Sequence, residues 1–267
     1  MKTIAIYNQK GGCGKTLTTF NLAGVLAEKG YRVLVMDTDG QASITLRLLK
    51  NTEIQLEELF TLTDVMCGKC EITEAIIKPN IPLKKNKDVD ISLLPADNEV
   101  NMVSEEFSKA GVNSEMFNAF KMIVEEVAES YDFCLIDCPP ALGTYSRALL
   151  NAAEYVLCPV ISDMSALQGY QFMIDTINDV RMNYNSELKF LGIFVTNATR
   201  RKGGYDQEFI NGVKQIGTYI PITIHATTIV KHADSHGIPV CLYKPKIAVS
   251  EEYRELARYI LNRTKVK

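Results

Sequence analysis

The sequence predicts an α/β fold, a mostly parallel twisted sheet with helices on both faces. Three observations predict it. Short β-branched runs alternate with longer segments of helical period. The runs are near-continuously apolar, as strands covered on both faces are. A glycine-rich loop follows the first run and opens the first helical segment. At 267 residues the chain can bury a sizeable core. No repeat or low-complexity linker divides it, so one domain over residues 1–267 is expected.

Strands are expected at residues 3–7, 32–37, 91–94, 132–137, 155–159 and 190–196. Helical periodicity marks residues 15–29, 113–129 and 165–183, with a further helix at 205–215 after the last strand. Residues 51–90 read as an irregular surface segment, because Pro79, Pro82, Lys84, Lys85 and Lys87 interrupt any period. In such sheets ligands bind beyond the carboxyl ends of the strands. The chemically suggestive residues fall there.

Hydrophobic residues make up 46% and charged residues 23%, ordinary for a soluble globular chain. No apolar run reaches the ~18 residues of a membrane span. The first seven residues run straight into a strand pattern rather than a signal peptide, so a cytoplasmic protein is expected. The seven cysteines are an odd number, and Cys134, Cys138 and Cys158 sit in apolar runs, so buried reduced thiols are expected. Cys67 and Cys70 form one C-x-x-C without the second pair a zinc site needs. A net charge of −3 gives no global attraction to nucleic acid, so any basic surface must be local.

The most informative segment is Lys10-Gly11-Gly12-Cys13-Gly14-Lys15-Thr16. Gly14-Lys15-Thr16 fits the end of the pattern G-x-x-x-x-G-K-[ST], but its first glycine would fall at Gln9, so the loop is a variant. Glycines let backbone N–H groups turn inward around a polyphosphate, and the following helix presents its positive end to the same anion. Lys15 can neutralise β/γ oxygens, and the Thr16 hydroxyl can bind Mg²⁺. Asp37 and Asp137 each end an apolar strand, where a lone carboxylate is costly unless a cation is near. Asp39, two residues on, is either directed to the same side as Asp37 or caps the helix after Gln41.

The extra Lys10 before the paired glycines resembles the deviant P-loop ATPases of the ParA and MinD group, which includes the nitrogenase iron protein. The resemblance runs through residues 8–12, Asn21-Leu22, residues 33–41 (close to a D-x-D-P-Q segment), residues 131–140, Val195-Thr196-Asn197 and residues 233–240, which look like A-x-x-x-G-x-P-V. Within the group the chain looks like a ParA of the Soj kind; a loop starting at residue 10 is expected to leave no room for an N-terminal helix-turn-helix domain. The resemblance implies ATP and Mg²⁺ as ligands. Gly11, Gly12, Cys13, Gly14, Lys15, Thr16 and Leu17 would surround the phosphates, with Asn197 at adenine. Lys10 would reach the partner's ATP across a homodimer, as an arginine finger does. Asp39 would orient the attacking water, and Asp37 and Asp137 would support the metal shell beside Thr16.

Several positions depart from the group's pattern. Gly40 stands where proline is usual, which implies a looser turn. Cys13 implies either sensitivity to thiol reagents or a small apolar filler. The arginines that bind DNA in chromosomal relatives are absent near Ile229-Val230-Lys231, which leaves Lys231, the cluster Arg200-Arg201-Lys202, and Arg254, Arg258, Arg263, Lys265 and Lys267 as candidate phosphate contacts.

The resemblance implies an ATPase that dimerises on ATP, coats nucleoid DNA nonspecifically, and partitions a plasmid or chromosome when a ParB-like adaptor triggers hydrolysis. The alternative is a membrane-cycling ATPase like MinD. Tyr253, Leu256, Ala257, Ile260 and Leu261 follow helical spacing behind Ser250 as N-cap, but residues 262–267 add no bulky apolar group for lipid, so no membrane partner is expected. An iron–sulfur reductase needs cysteines in glycine-rich contexts that these do not occupy.

Overall fold

The computed structural model describes residues 1–82, 89–200 and 204–266, with backbone only for residues 164–168. Among the described residues, seven strands form one sheet: β1 (Lys2–Ile6), β2 (Val33–Asp37), β3 (Ile91–Leu94), β4 (Phe133–Asp137), β5 (Tyr155–Ile161), β6 (Lys189–Ala198) and β7 (Tyr219–His225). Their order is β3-β2-β4-β1-β5-β6-β7, with every strand pairing parallel. The helices are α1 (Lys15–Glu28), α2 (Ser43–Leu49), α3 (Leu62–Met66), α4 (Ile72–Ala75), α5 (Val100–Ala110), α6 (Ala119–Glu126), α7 (Thr144–Ala152), α8 (Met164–Asn183), α9 (Tyr205–Val213), α10 (Thr228–Ser235), α11 (Val240–Tyr243) and α12 (Ala248–Thr264).

Alternate residues of each strand feed two cores. Ile4, Ile6, Val33, Val35, Phe133 and Leu135 pack with α1, α2 and α12, whereas Ala5, Tyr7, Leu34, Met36, Cys134 and Ile136 pack with α5 to α9. Both faces are therefore covered, which is why the strands read as unbroken apolar runs. The phosphate loop leaves the central strand β1. Register sets Ile6 beside Asp137 and Asp137 beside Asp37, so three strand ends converge next to that loop.

Every expected strand exists within two residues of its expected ends. The unexpected strand is β7, which forms one edge of the sheet and contains Pro221; proline is tolerated on an edge because one side of the strand makes no ladder. The expected helix at 113–129 is shorter, a 3₁₀ turn at Glu115–Asn118 leading into α6. Residues 51–90 are not wholly irregular: α3 and α4 bury Leu62, Ile72 and Ala75, and each starts with a reciprocal capping box. Lys84, Lys85, Lys87, Arg201, Lys202 and Lys267 lie outside the described residues.

Ser250 is not an N-cap. Ile247 holds that position, and the Ser250 hydroxyl instead donates to the carbonyls of Val240 and Lys244. The spacing-predicted stripe on α12 (Tyr253, Leu256, Ala257, Ile260) is buried against the α1 side of the sheet. Arg254 secures it with a forked pair to Glu28 at 2.8 and 3.0 Å.

Candidate nucleotide site

Gly12 and Gly14 adopt φ +71° and +88°, the left-handed region where a side chain would be strained. Gly14 sits directly before α1, and no side chain caps that helix. Its first N–H groups therefore face the loop, which is the arrangement that binds anions. Lys15 is buried, with Nζ donating to the Lys10 carbonyl at 3.1 Å. Behind the loop, the Thr196 hydroxyl donates to the Cys13 carbonyl at 2.8 Å, and a Cβ on Gly14 would lie 3.2 Å from that same hydroxyl. Thus the end of β6 buttresses the loop.

Cys13 itself is buried, and burial pushes its thiol up. This favours the role of small filler over reactivity, because the thiolate is the reactive form.

The two strand-end aspartates differ sharply. Asp37 is fully buried, yet both of its oxygens are occupied. Oδ1 accepts from the Asp39 N–H at 3.1 Å, and Oδ2 accepts from the Thr45 N–H and hydroxyl at 3.0 and 2.7 Å. Thr45 lies in the first turn of α2, so Asp37 does the capping that sequence reasoning offered to Asp39. Asp39 Oδ1 accepts only from the Gln41 N–H at 3.0 Å, inside the turn. With the Ala42 N–H on the Asp39 carbonyl at 2.8 Å, the turn is held at three points and is not the looser one that Gly40 implied. Gly40 has its own reason: a Cβ there would lie 2.6 Å from the Asn101 amide of α5.

Asp137 is equally buried. Its Oδ1 accepts from the Thr19 hydroxyl at 3.1 Å, but among the described residues Oδ2 has no hydrogen-bond partner. Burial pushes both carboxyls up. The Asp37 charge raises Asp137 further, while the Thr16 and Thr19 hydroxyls and Lys15 oppose the rise. An unsatisfied buried carboxylate oxygen beside a Thr hydroxyl, a lysine and an anion-binding loop fits a bound divalent cation. Asp137 and Thr16 therefore fit Mg²⁺ better than Asp37, whose oxygens brace the turn.

On the other side of the loop, a cleft of about 490 Å³ opens between Gly12, Gly14 and Leu17 and the ends of β6 and β7. Asn197 lines it with φ +55°, a conformation asparagine tolerates. His225, Thr227 and Lys231 line the opposite wall. The structure thus brings Gly12, Gly14, Leu17 and Asn197 together on one cleft, and it puts Lys231 on that cleft's wall.

Lys10 lies at the loop's mouth, paired with Asp163 at 2.6 Å. Gly11 beside it is exposed.

The resemblance marks Asn21 and residues 233–240 without giving them a role, and the structure makes them supports of the helix that follows the loop. Asn21 donates to the Leu17 carbonyl at 2.8 Å and accepts from the Val240 N–H at 2.7 Å. A Cβ on Gly24 would strike Pro239 at 2.3 Å, and one on Gly237 (φ +61°) would strike the Arg47 carbonyl at 2.7 Å. The segment at residues 233–240 is therefore a packing contact on α1 and α2. Of the other basic candidates, Arg200 pairs with Glu252 and Arg258 with Glu251, and Arg263 lies 5.3 Å over the Tyr259 ring.

A family model described as an AAA domain matches residues 1–190. The chain is 32% identical to the chromosome-partitioning ATPase Soj of Treponema pallidum, over 98% of each chain. It is also 32% identical to the chromosome partitioning protein ParA of Caulobacter vibrioides, over 98% of this chain and 95% of the relative. Among solved structures, the cobyrinic acid a,c-diamide synthase of Mycobacterium smegmatis with bound ATP analog and magnesium superposes with a TM-score of 0.79 at 26% identity, covering 99% of this chain and 96% of that one.

Proposed function

This chain belongs to the ParA/MinD family of P-loop ATPases, and on that premise we propose that it hydrolyses ATP as a dimer on nonspecific DNA, partitioning a plasmid or chromosome with a ParB-like adaptor. The observation that carries the reading is the phosphate loop with Lys15 buried under it and the unsatisfied Oδ2 of Asp137 beside it.

In this reading, Lys15 and the first N–H groups of α1 hold the β and γ oxygens. Thr16 and Asp137 hold Mg²⁺, which when bound neutralises charge on those oxygens. Asp37 braces the turn from which Asp39 orients the attacking water. Asn197 contacts adenine in the cleft, and Lys10 contributes to the partner's site. The ATP analog and magnesium in the mycobacterial structure support the ligand assignment, and the names of the two partitioning relatives support the role on DNA.

The burial of the α12 stripe favours DNA over a lipid surface, because a lipid-binding helix needs its apolar face exposed. Among the described residues, no helix is long and apolar enough to cross a membrane. A nucleoid-associated protein is the corresponding location.

Co-sedimentation tests the reading. The protein with ATP and Mg²⁺ should pellet with DNA of any sequence, and log affinity should fall with log salt by about 0.9 per phosphate contact. It should not pellet with anionic liposomes. Pelleting with liposomes and never with DNA would overturn the partition reading in favour of the membrane-cycling one.

A further inference from the structure

We propose that Asp163 is a positioning residue for Lys10, holding the lysine against its own chain until a second protomer's nucleotide takes it over. The inference rests on the reading that Lys10 serves the partner's phosphates.

The backbone of Lys10 is already fixed. Its N–H donates to Asn8 Oδ1 at 2.9 Å, its carbonyl accepts from Lys15 Nζ at 3.1 Å, and Asn8 Nδ2 donates to the Pro159 carbonyl at 2.7 Å. The ends of β1 and β5 are thereby strapped together, and Asp163 follows β5 by two residues. From this fixed base, the Lys10 ammonium reaches Asp163 Oδ2 at 2.6 Å. Lys10 can exchange this partner for a phosphate by side-chain rotation alone, with the phosphate loop left in place. Space permits the swing: Cβ atoms built on Gly11 and Gly12 meet nothing within 4 Å.

The pair suits a reversible hold. The two side chains are 30% and 43% exposed, and a pair so accessible to water shifts an equilibrium by only about two- to five-fold. A triphosphate carries more negative charge than one carboxylate and displaces it. An isologous dimer opens two such holds, so the effect on assembly is squared. Asp163 would then keep the nucleotide-free chain monomeric by occupying the group that the dimer needs.

The competing role is structural, since Asp163 directly precedes α8 and aspartate is a favoured N-cap. Asparagine caps equally well and carries no charge, so Asp163→Asn separates the two roles and Asp163→Glu restores the charge.

Two measurements decide it. In the first, nucleotide-free protein is pulse-labelled with an amine reagent and read by mass spectrometry, with exposed Lys29 as internal reference. Asp163→Asn should raise Lys10 labelling about two- to five-fold, and Asp163→Glu should return it toward wild type. In the second, sedimentation with ATP and Mg²⁺ should show Asp163→Asn dimerising at about ten-fold lower protein concentration, from roughly three-fold per protomer.

Unchanged labelling, or a dimer that is unchanged or weaker, overturns the proposal. Lys10→Ala run in parallel separates the failures. If it loses the dimer while Asp163→Asn matches wild type, only the hold is wrong. If Lys10→Ala dimerises normally, the role of Lys10 falls and the hold falls with it.

Discussion

The two sides of the phosphate loop are built in opposite ways. Toward β2 and β4 the strand ends carry Asp37, Asp39 and Asp137, two of them fully buried and pushed up by that burial. Toward β6 and β7 the wall is formed by Thr196, Asn197 and His225 around an open cleft. The first side holds one buried carboxylate oxygen, Asp137 Oδ2, that a cation would satisfy. The second relies on backbone shape and a hydroxyl buttress. A charged triphosphate end and a largely apolar base would need this asymmetry, because electrostatic preorganisation acts where charge develops and shape suffices elsewhere.

The largest effect is expected at the unsatisfied carboxylate. Asp137→Asn should lower Mg²⁺-dependent phosphate release by about 100-fold or more, measured at saturating nucleotide. It should also make the ligand-free protein more stable at neutral pH. The sign follows from the raised carboxyl: between the ordinary carboxylate range near about pH 4 and its raised folded value, the folded state binds more protons than the unfolded one. Stability therefore falls as pH rises through that window. Thermal melts of ligand-free protein should show this decline in wild type and a shallower one in Asp137→Asn. Equal slopes would mean that the carboxylate is already neutralised within the fold.

Asp37 should respond in the opposite sense. Asp37→Ala strips the acceptor from the Asp39 and Thr45 N–H groups and the Thr45 hydroxyl. A loss of about 2–4 kcal/mol of stability is expected, readable by urea denaturation. A variant as stable as wild type would erase the distinction between the two aspartates.

The base side should be the most forgiving. Thr196→Val keeps the shape and removes one hydrogen bond to the Cys13 carbonyl, worth about 1 kcal/mol. Nucleotide affinity should weaken about five-fold with turnover at saturation nearly kept. A collapse of turnover instead would place Thr196 in the chemistry.

The same asymmetry governs what the sequence reveals. The phosphate loop is contiguous, and its glycines, Lys15 and Thr16 each have a local reason to be there, so the loop is legible in one pass. Asp37 and Asp137 are legible as charges ending apolar runs, but the partners that distinguish them are not: Thr45 reaches Asp37 from the next helix, and Thr19 reaches Asp137 from α1, 118 residues earlier in the chain. The cleft toward β6 and β7 is least legible. Tyr253 and His225 join Gly12 there from more than 200 residues away, and β7 is masked by Pro221. Lys10 shows the limit from the other side. Its place in the motif can be read directly, whereas its pairing with Asp163 depends on how β5 sits beside β1.

Phosphate release from ATP and Mg²⁺ by wild type and Lys15→Ala, assayed side by side, tests the central assignment most directly. The buried ammonium under the loop should be indispensable, so wild type should release phosphate steadily and Lys15→Ala should fall to the no-enzyme rate. Turnover by Lys15→Ala equal to wild type would contradict the assignment of this loop as the nucleotide site.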